Sequence, residues 1–210
     1  MRYLLIIVLL LVFLYYSEFN TKKVKFQGTD YNVHVTSDDS SAKVLAEMEK
    51  RVEVLKKHLL EKYGCEGCGE MFGKNFIGGG KRNFIADMHA RTEQLVANYD
   101  PNNIYEISPN NLMGNTSFTQ NKSKLIMCLR SKETGKVHDI NTLMFVNLHE
   151  LTHMMNDEWG HELQFWQLFK IVLENAVECG IYKPVDYSKT PQRYCGMDII
   201  QSPLYEPLLD

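Results

Sequence analysis

Residues 149–153 read H-E-L-T-H. The H-E-x-x-H spacing sets two imidazoles one helical turn apart on one face. There both can reach a single zinc ion, with the glutamate between them free to take a proton from a metal-activated water. The stretch from Val146 to Trp166 also holds four carboxylates, Glu150, Asp157, Glu158 and Glu162, and a third histidine, His161. A catalytic zinc needs three protein ligands and one position open to water. Asp157, Glu158, His161 and Glu162 are the candidates for the third ligand.

The elements around the motif bear on that choice. Met144, Leu148, Leu151 and Met155 form a core-facing stripe on a helix running to about Asn156, with Asn141 as its expected N-cap. At 100° per residue, His149 and His153 lie roughly 150° from the stripe, so both should point away from the core. Glu150 flanks the pair. Asp157 and Glu158 fall where this helix should end, and Gly160 is a turn residue. From His161 onward Phe165, Leu168, Phe169, Val172, Leu173 and Ala176 recur at helical spacing, so a second helix is expected from near His161 to around Gly180. Packed antiparallel to the first, it would bring His161 back toward His153. His161 is therefore the favoured third ligand, with Glu162 or a distant residue next.

Upstream, "KVKFQGTDYNVHVT" alternates apolar and polar residues around Gly28, Thr29 and Asp30 and reads as a β-hairpin. Helical period follows, with Leu45, Met48, Val52, Leu55 and Leu59 on one face. Asp38, Asp39 or Ser40 can cap its start and Gly64 its end. Residues 64–80 hold seven glycines and read as an irregular loop. The "GGGK" within it lacks the spacing of a phosphate-binding loop. A second helix is expected from about Arg82 to Tyr99. "NIYEIS" and "NTSFTQNKSKLIMCLRS" read as strands, the latter a hairpin turning near Asn121 and Lys122. His138 falls in the polar connection that follows, where solvent exposure is expected. The order suggests an α+β domain, residues 21–210, with a small, largely antiparallel sheet and an irregular tail.

The first twenty residues are of another kind. Tyr3 to Tyr16 carry no charge, Gly or Pro and would span about 21 Å as a helix, short of a roughly 30 Å hydrocarbon core. No small-residue cleavage pattern follows, while Tyr15, Tyr16, Lys22, Lys23 and Lys25 suit a membrane interface. The expectation is an uncleaved signal-anchor over residues 1–20, with membrane contact through residues 3–16; a cleaved signal and a buried helix are the alternatives. Positive charge on both flanks leaves the orientation open.

The remaining signals exclude more than they assign. A formal net charge of -3 carries no electrostatic footprint of nucleic-acid binding. The five cysteines cannot all pair with one another. Cys65 and Cys68 have C-x-x-C spacing, yet no second such pair exists to complete a four-thiolate zinc site. Asn115 and Asn121 begin N-x-S/T triplets, which would matter only in a lumenal domain.

"HELTH...WGHELQFWQLF" resembles the SprT-like and WLM group of zinc metallopeptidases over about residues 143–181. In that group H-E-x-x-H is followed by a loop and a G-H-G-P-x-F-like segment whose histidine is the third ligand. The resemblance implies a zincin-like fold, Zn2+ held by His149, His153 and His161, Glu150 as general base and Phe165 as a packing residue. The tail "YKPVDYSKTPQRYCGMDI" is similar to that of uncharacterised peptidase-like proteins encoded by large DNA viruses. Glu162, Leu163 and Gln164 replace the usual small-residue step, and the basic DNA-binding parts common in SprT-like members are missing. The resulting expectation is a zinc endopeptidase acting on a protein or peptide. Tyr182, Tyr187 and Tyr194 are candidates for oxyanion or substrate contacts, although a core or surface place is the favoured reading for each. The rival readings are a membrane-tethered protein whose zinc only staples two helices, and a protease of DNA-associated proteins.

Overall fold

The computed structural model describes residues 5–7, 20–64, 84–108 and 117–209. The C-x-x-C pair, "GGGK" and Asn115 lie outside them, as does most of the apolar N-terminal stretch. Residues 5–7 are helical and exposed. No described helix is long and apolar enough to cross a membrane.

Strands β1 (Thr21–Phe26) and β2 (Thr29–His34) form the expected hairpin. Its turn is Gln27 and Gly28, both at positive φ. Helix α1 (Asp39–Tyr63) starts at Asp38, whose carboxylate accepts from the Ser40 N–H, and stops at Gly64. All five residues of its expected apolar face are buried. α1 packs on β1, β2 and all three later helices, and is the element around which the core assembles.

Helix α2 (Phe84–Asn98) leads into the short strand β3 (Ile104–Glu106). The second hairpin, β4 (Phe118–Gln120) and β5 (Lys124–Met127), turns at Asn121 and Lys122 as expected, both at positive φ. The sheet order is β1-β2-β3-β5-β4. β2 pairs with β3 in parallel, and so does β3 with β5. The sheet is thus mixed rather than largely antiparallel. Only its hairpins at the two edges are antiparallel, because local turns force that sense, while α1 and α2 carry the chain across from β2 to its parallel neighbour β3.

Helices α3 (Ile140–Met155) and α4 (Leu163–Glu178) follow. The cap of α3 is Asp139, not Asn141: its carboxylate accepts from the Asn141 and Thr142 N–H groups. Asn141 instead ties the helix start to the tail, exchanging hydrogen bonds with the Lys183 backbone. α4 begins at Leu163, leaving His161 in the preceding loop. The tail is also more ordered than expected, with a hairpin of β6 (Gln192–Tyr194) and β7 (Met197–Ile199) followed by two short 3-10 turns.

A disulfide joins Cys128, just past β5, to Cys195 in the β6–β7 turn. His138 is part of this junction rather than a solvated loop residue. Its ring lies 5.0 Å from that of Tyr194, and its Nε2 accepts from the Cys195 N–H. Closing a loop with a sequence separation of 67 should contribute about 4 kcal/mol by restricting the unfolded chain. Cys195→Ser is expected to lower the melting temperature on the order of 10 °C under non-reducing conditions. An unchanged melting temperature would show that the bond does not hold the tail.

Candidate metal centre and its cleft

Helix α3 is buried almost all round. Beyond the stripe of Met144, Leu148, Leu151 and Met155, the side chains of Leu143, Asn147, Thr152 and Met154 are also inside. The amphipathic picture is therefore incomplete. His149 and His153 do leave the core on the side opposite the stripe, but α4 covers them. Phe165 stacks on the His153 ring at 4.4 Å and meets the His149 ring edge-on at 4.9 Å; Phe169 lies 5.2 Å from His149.

The loop 156–162 returns the third histidine. Gly160 sits at φ 106°, a backbone region that side-chain-bearing residues avoid, and the chain reverses there. His161 Nε2 lies 2.9 Å from His149 Nε2 and 3.1 Å from His153 Nε2. A proton can link only two such nitrogens at a time, so three converging lone pairs are not satisfied by one another. A cation is the natural partner for that donor set, and the three could hold a metal ion. Asp157, Glu158 and Glu162 are exposed and are not part of this cluster.

Burial, and then the charges of its two neighbours, lower the His149 pKa to about 3. Burial first, then His161 and Lys122, lowers His153 to about 4. Burial also lowers His161. Neutral imidazole is the form that ligates a metal.

Glu150 is 5% exposed and lies under the edge strand β4. Thr119 of β4 donates its hydroxyl to Glu150 Oε2 at 2.8 Å. Burial raises the Glu150 pKa to about 7 against the opposing Thr119 bonds. Thr119 had no signal in the sequence, because only the fold brings β4 beside α3. Beside His149 and Glu150 opens a cleft of about 640 Å³ between α3, α4 and residues 197–209.

Of the three tyrosines, the structure brings only Tyr194 to this cleft. Its hydroxyl donates to the Cys128 carbonyl at 2.8 Å and lies 2.6 Å from Ser117 Oγ. Tyr182 and Tyr187 do not reach the cleft; they pack in the core on Phe145.

An uncharacterized protein of Acanthamoeba polyphaga mimivirus is 30% identical over 207 residues, spanning 93% of this chain and 92% of its own length. The chain belongs to the family of that viral protein. Two further family relatives match over shorter stretches. An uncharacterized protein of Invertebrate iridescent virus 6 is 41% identical over 71 residues, 33% of this chain and 40% of its own. One of Invertebrate iridescent virus 3 is 38% identical over 68 residues, 32% of this chain and 43% of its own. No protein-family model and no solved structure matches the chain.

The depressed histidines and raised glutamate pull stability in opposite directions with pH. Metal-free, His149 and His153 bind fewer protons folded than unfolded below about pH 6.5, so their contribution is present above that pH and lost as pH falls. Glu150, raised when folded, stabilises below about pH 4.5, and that contribution is lost as pH rises through 7. Between pH 5 and 6.5 the lowered histidines, His161 included, outweigh one glutamate. Metal-free Glu150→Gln should therefore gain thermal stability with rising pH more steeply than wild type. Identical slopes by scanning fluorimetry would contradict these environments.

Proposed function

We propose that this family member is a zinc-dependent peptidase with a zincin-like catalytic domain, related to the SprT-like and WLM group. The observation that carries the reading is the convergence of His149, His153 and His161 Nε2 atoms beside a buried glutamate that is not one of the cluster. Zinc bound by the three imidazoles would supply Lewis-acid activation of water and of the scissile carbonyl. Glu150 takes the proton from the attacking water and delivers it to the leaving amine nitrogen. Thr119 holds one carboxylate oxygen and so fixes the orientation of the other.

A peptide substrate is supported by the position of β4. It is one of the two outer strands of the sheet among the described residues, and its Thr119 touches Glu150. An extended chain pairing with that edge would pass alongside the base.

Zinc-loaded wild-type protein should cleave an unfolded protein substrate. Glu150→Gln should retain zinc and lose about 10²–10⁴-fold in rate, while His161→Ala should lose both zinc and activity. Full activity in zinc-loaded Glu150→Gln would refute the mechanism. Zinc bound by wild type and lost in His161→Ala, with no hydrolysis by wild type, would point to a structural staple.

We also place the domain at a membrane, tethered through residues 3–16. The Cys128–Cys195 disulfide supports an oxidising compartment for the folded part. Asn121 is exposed in the β4–β5 turn; its glycosylation on expression in a eukaryotic secretory pathway would agree with that side. A chain inserted in the membrane but unmodified at Asn121 would favour the cytosolic face.

A further inference from the structure

The cleft beside His149 and Glu150 is larger than one catalytic carboxylate requires. Its volume of about 640 Å³ lies within the roughly 300–1,000 Å³ typical of ligand pockets. One wall is helical, with Val146 of α3 and Trp166 and Phe169 of α4. The facing wall comes from the C-terminal segment, chiefly Met197, Ile199 and Ile200. Met197 and Ile200 are 48% and 55% exposed, so the cleft mouth presents apolar surface to solvent. The charged residues lining the cleft are Glu150, Asp198 and Glu206 among the described residues, with no lysine or arginine. Asp198 pairs with Arg193, which points along the hairpin.

Resting on the peptidase reading, we propose that this cleft is the specificity pocket: it takes bulky apolar side chains of the substrate next to the bond that is cut. The C-terminal segment 197–209 sets that preference, and acidic side chains are refused at the same position. The occupant is fixed by three features together. The cleft opens on the reacting residues, so whatever fills it is continuous with the scissile bond. Its walls offer aromatic and aliphatic surface, which gains free energy by removing such surface from water. Away from the histidines its lining holds no cation, so a carboxylate seated between those apolar walls would be desolvated with no partner. Substrates then offer exposed apolar stretches, as unfolded or unassembled chains do.

The wall residues Met197 and Ile200 are exposed, so changing them leaves the core intact and separates pocket chemistry from folding. The test has a cleavage arm and a binding arm. In the first, the zinc-loaded full chain digests a mixture of denatured-protein peptides and the cut sites are read by mass spectrometry. Phe, Leu, Met, Ile and Trp should be enriched at one position adjoining the cut, and Asp and Glu depleted there. Replacing the apolar residue of a good substrate by Glu should lower kcat/KM about 10- to 100-fold. Ile200→Glu should lower it about tenfold toward apolar substrates with zinc content unchanged.

In the second, a fluorescent peptide with that apolar residue is titrated into zinc-loaded Glu150→Gln protein, alone and with Ile200→Glu added. Binding should weaken about tenfold on adding Ile200→Glu, and by as much when the peptide's apolar residue becomes Glu. Hydrolysis with no residue preference beside the cut, or binding indifferent to both changes, overturns the pocket assignment while leaving the peptidase reading intact. Selective binding without any hydrolysis by wild type supports the pocket and overturns the peptidase reading.

Discussion

Everything at this site depends on ending a buried helix just after His153 and turning the chain back over it. The last carbonyls of a helix have no partners within it, and here the end is enclosed, so other elements must supply donors. Asn98 donates to the Met154 carbonyl and buried Arg91 to that of Met155. Lys122, from the β4–β5 turn, donates to the carbonyls of Asn156 and Asp157. Two separate elements, helix α2 and the β4–β5 turn, thus fix one helix end. With it fixed, Gly160 can reverse the chain and set His161 against its two partners. The arrangement is a consequence of backbone satisfaction before it is one of metal chemistry.

The same enclosure sets the electrostatics. Phe165 packs on the His149 and His153 rings and Phe169 on His149, and burial holds these two imidazoles neutral well below their usual range, while His161 stays exposed. The burial that keeps the histidines uncharged also raises Glu150, so a single apolar environment prepares the donor set and the base together. The far wall of the cleft is held both by its 3-10 turns packed on α4 and by tethers. Tyr194 hydrogen-bonds the Cys128 carbonyl, and the neighbouring Cys195 is bonded to Cys128 itself. The hairpin carrying Met197 and Ile199 therefore moves with β5, the strand next to β4.

How much of this was legible in the sequence follows from how local each feature is. The α1 face, the two hairpin turns and the histidine spacing are set by neighbours within a few residues, and they appear where the pattern puts them. The cap of α3 was misplaced by two residues because Asp139 and Asn141 are both competent caps, and only the tail's claim on Asn141 separates them. The parallel pairings of β2, β3 and β5 join strands far apart in the chain and leave no periodic trace in segments of three to six residues. The Cys128–Cys195 bond and the contact of Thr119 with Glu150 are hidden for the same reason. Tyrosine at 182, 187 and 194 looks alike in sequence and all three are buried; only the tertiary fold sets Tyr194 at the cleft and the other two on Phe145.

The central claim, that three histidines bind one zinc and leave a position open, is tested most directly by zinc K-edge X-ray absorption on the metal-loaded protein. The account predicts three imidazole nitrogens at about 2.0–2.1 Å and one further oxygen from solvent. Sulfur in the coordination shell, fewer than three imidazoles, or a fourth protein ligand closing the site would contradict it.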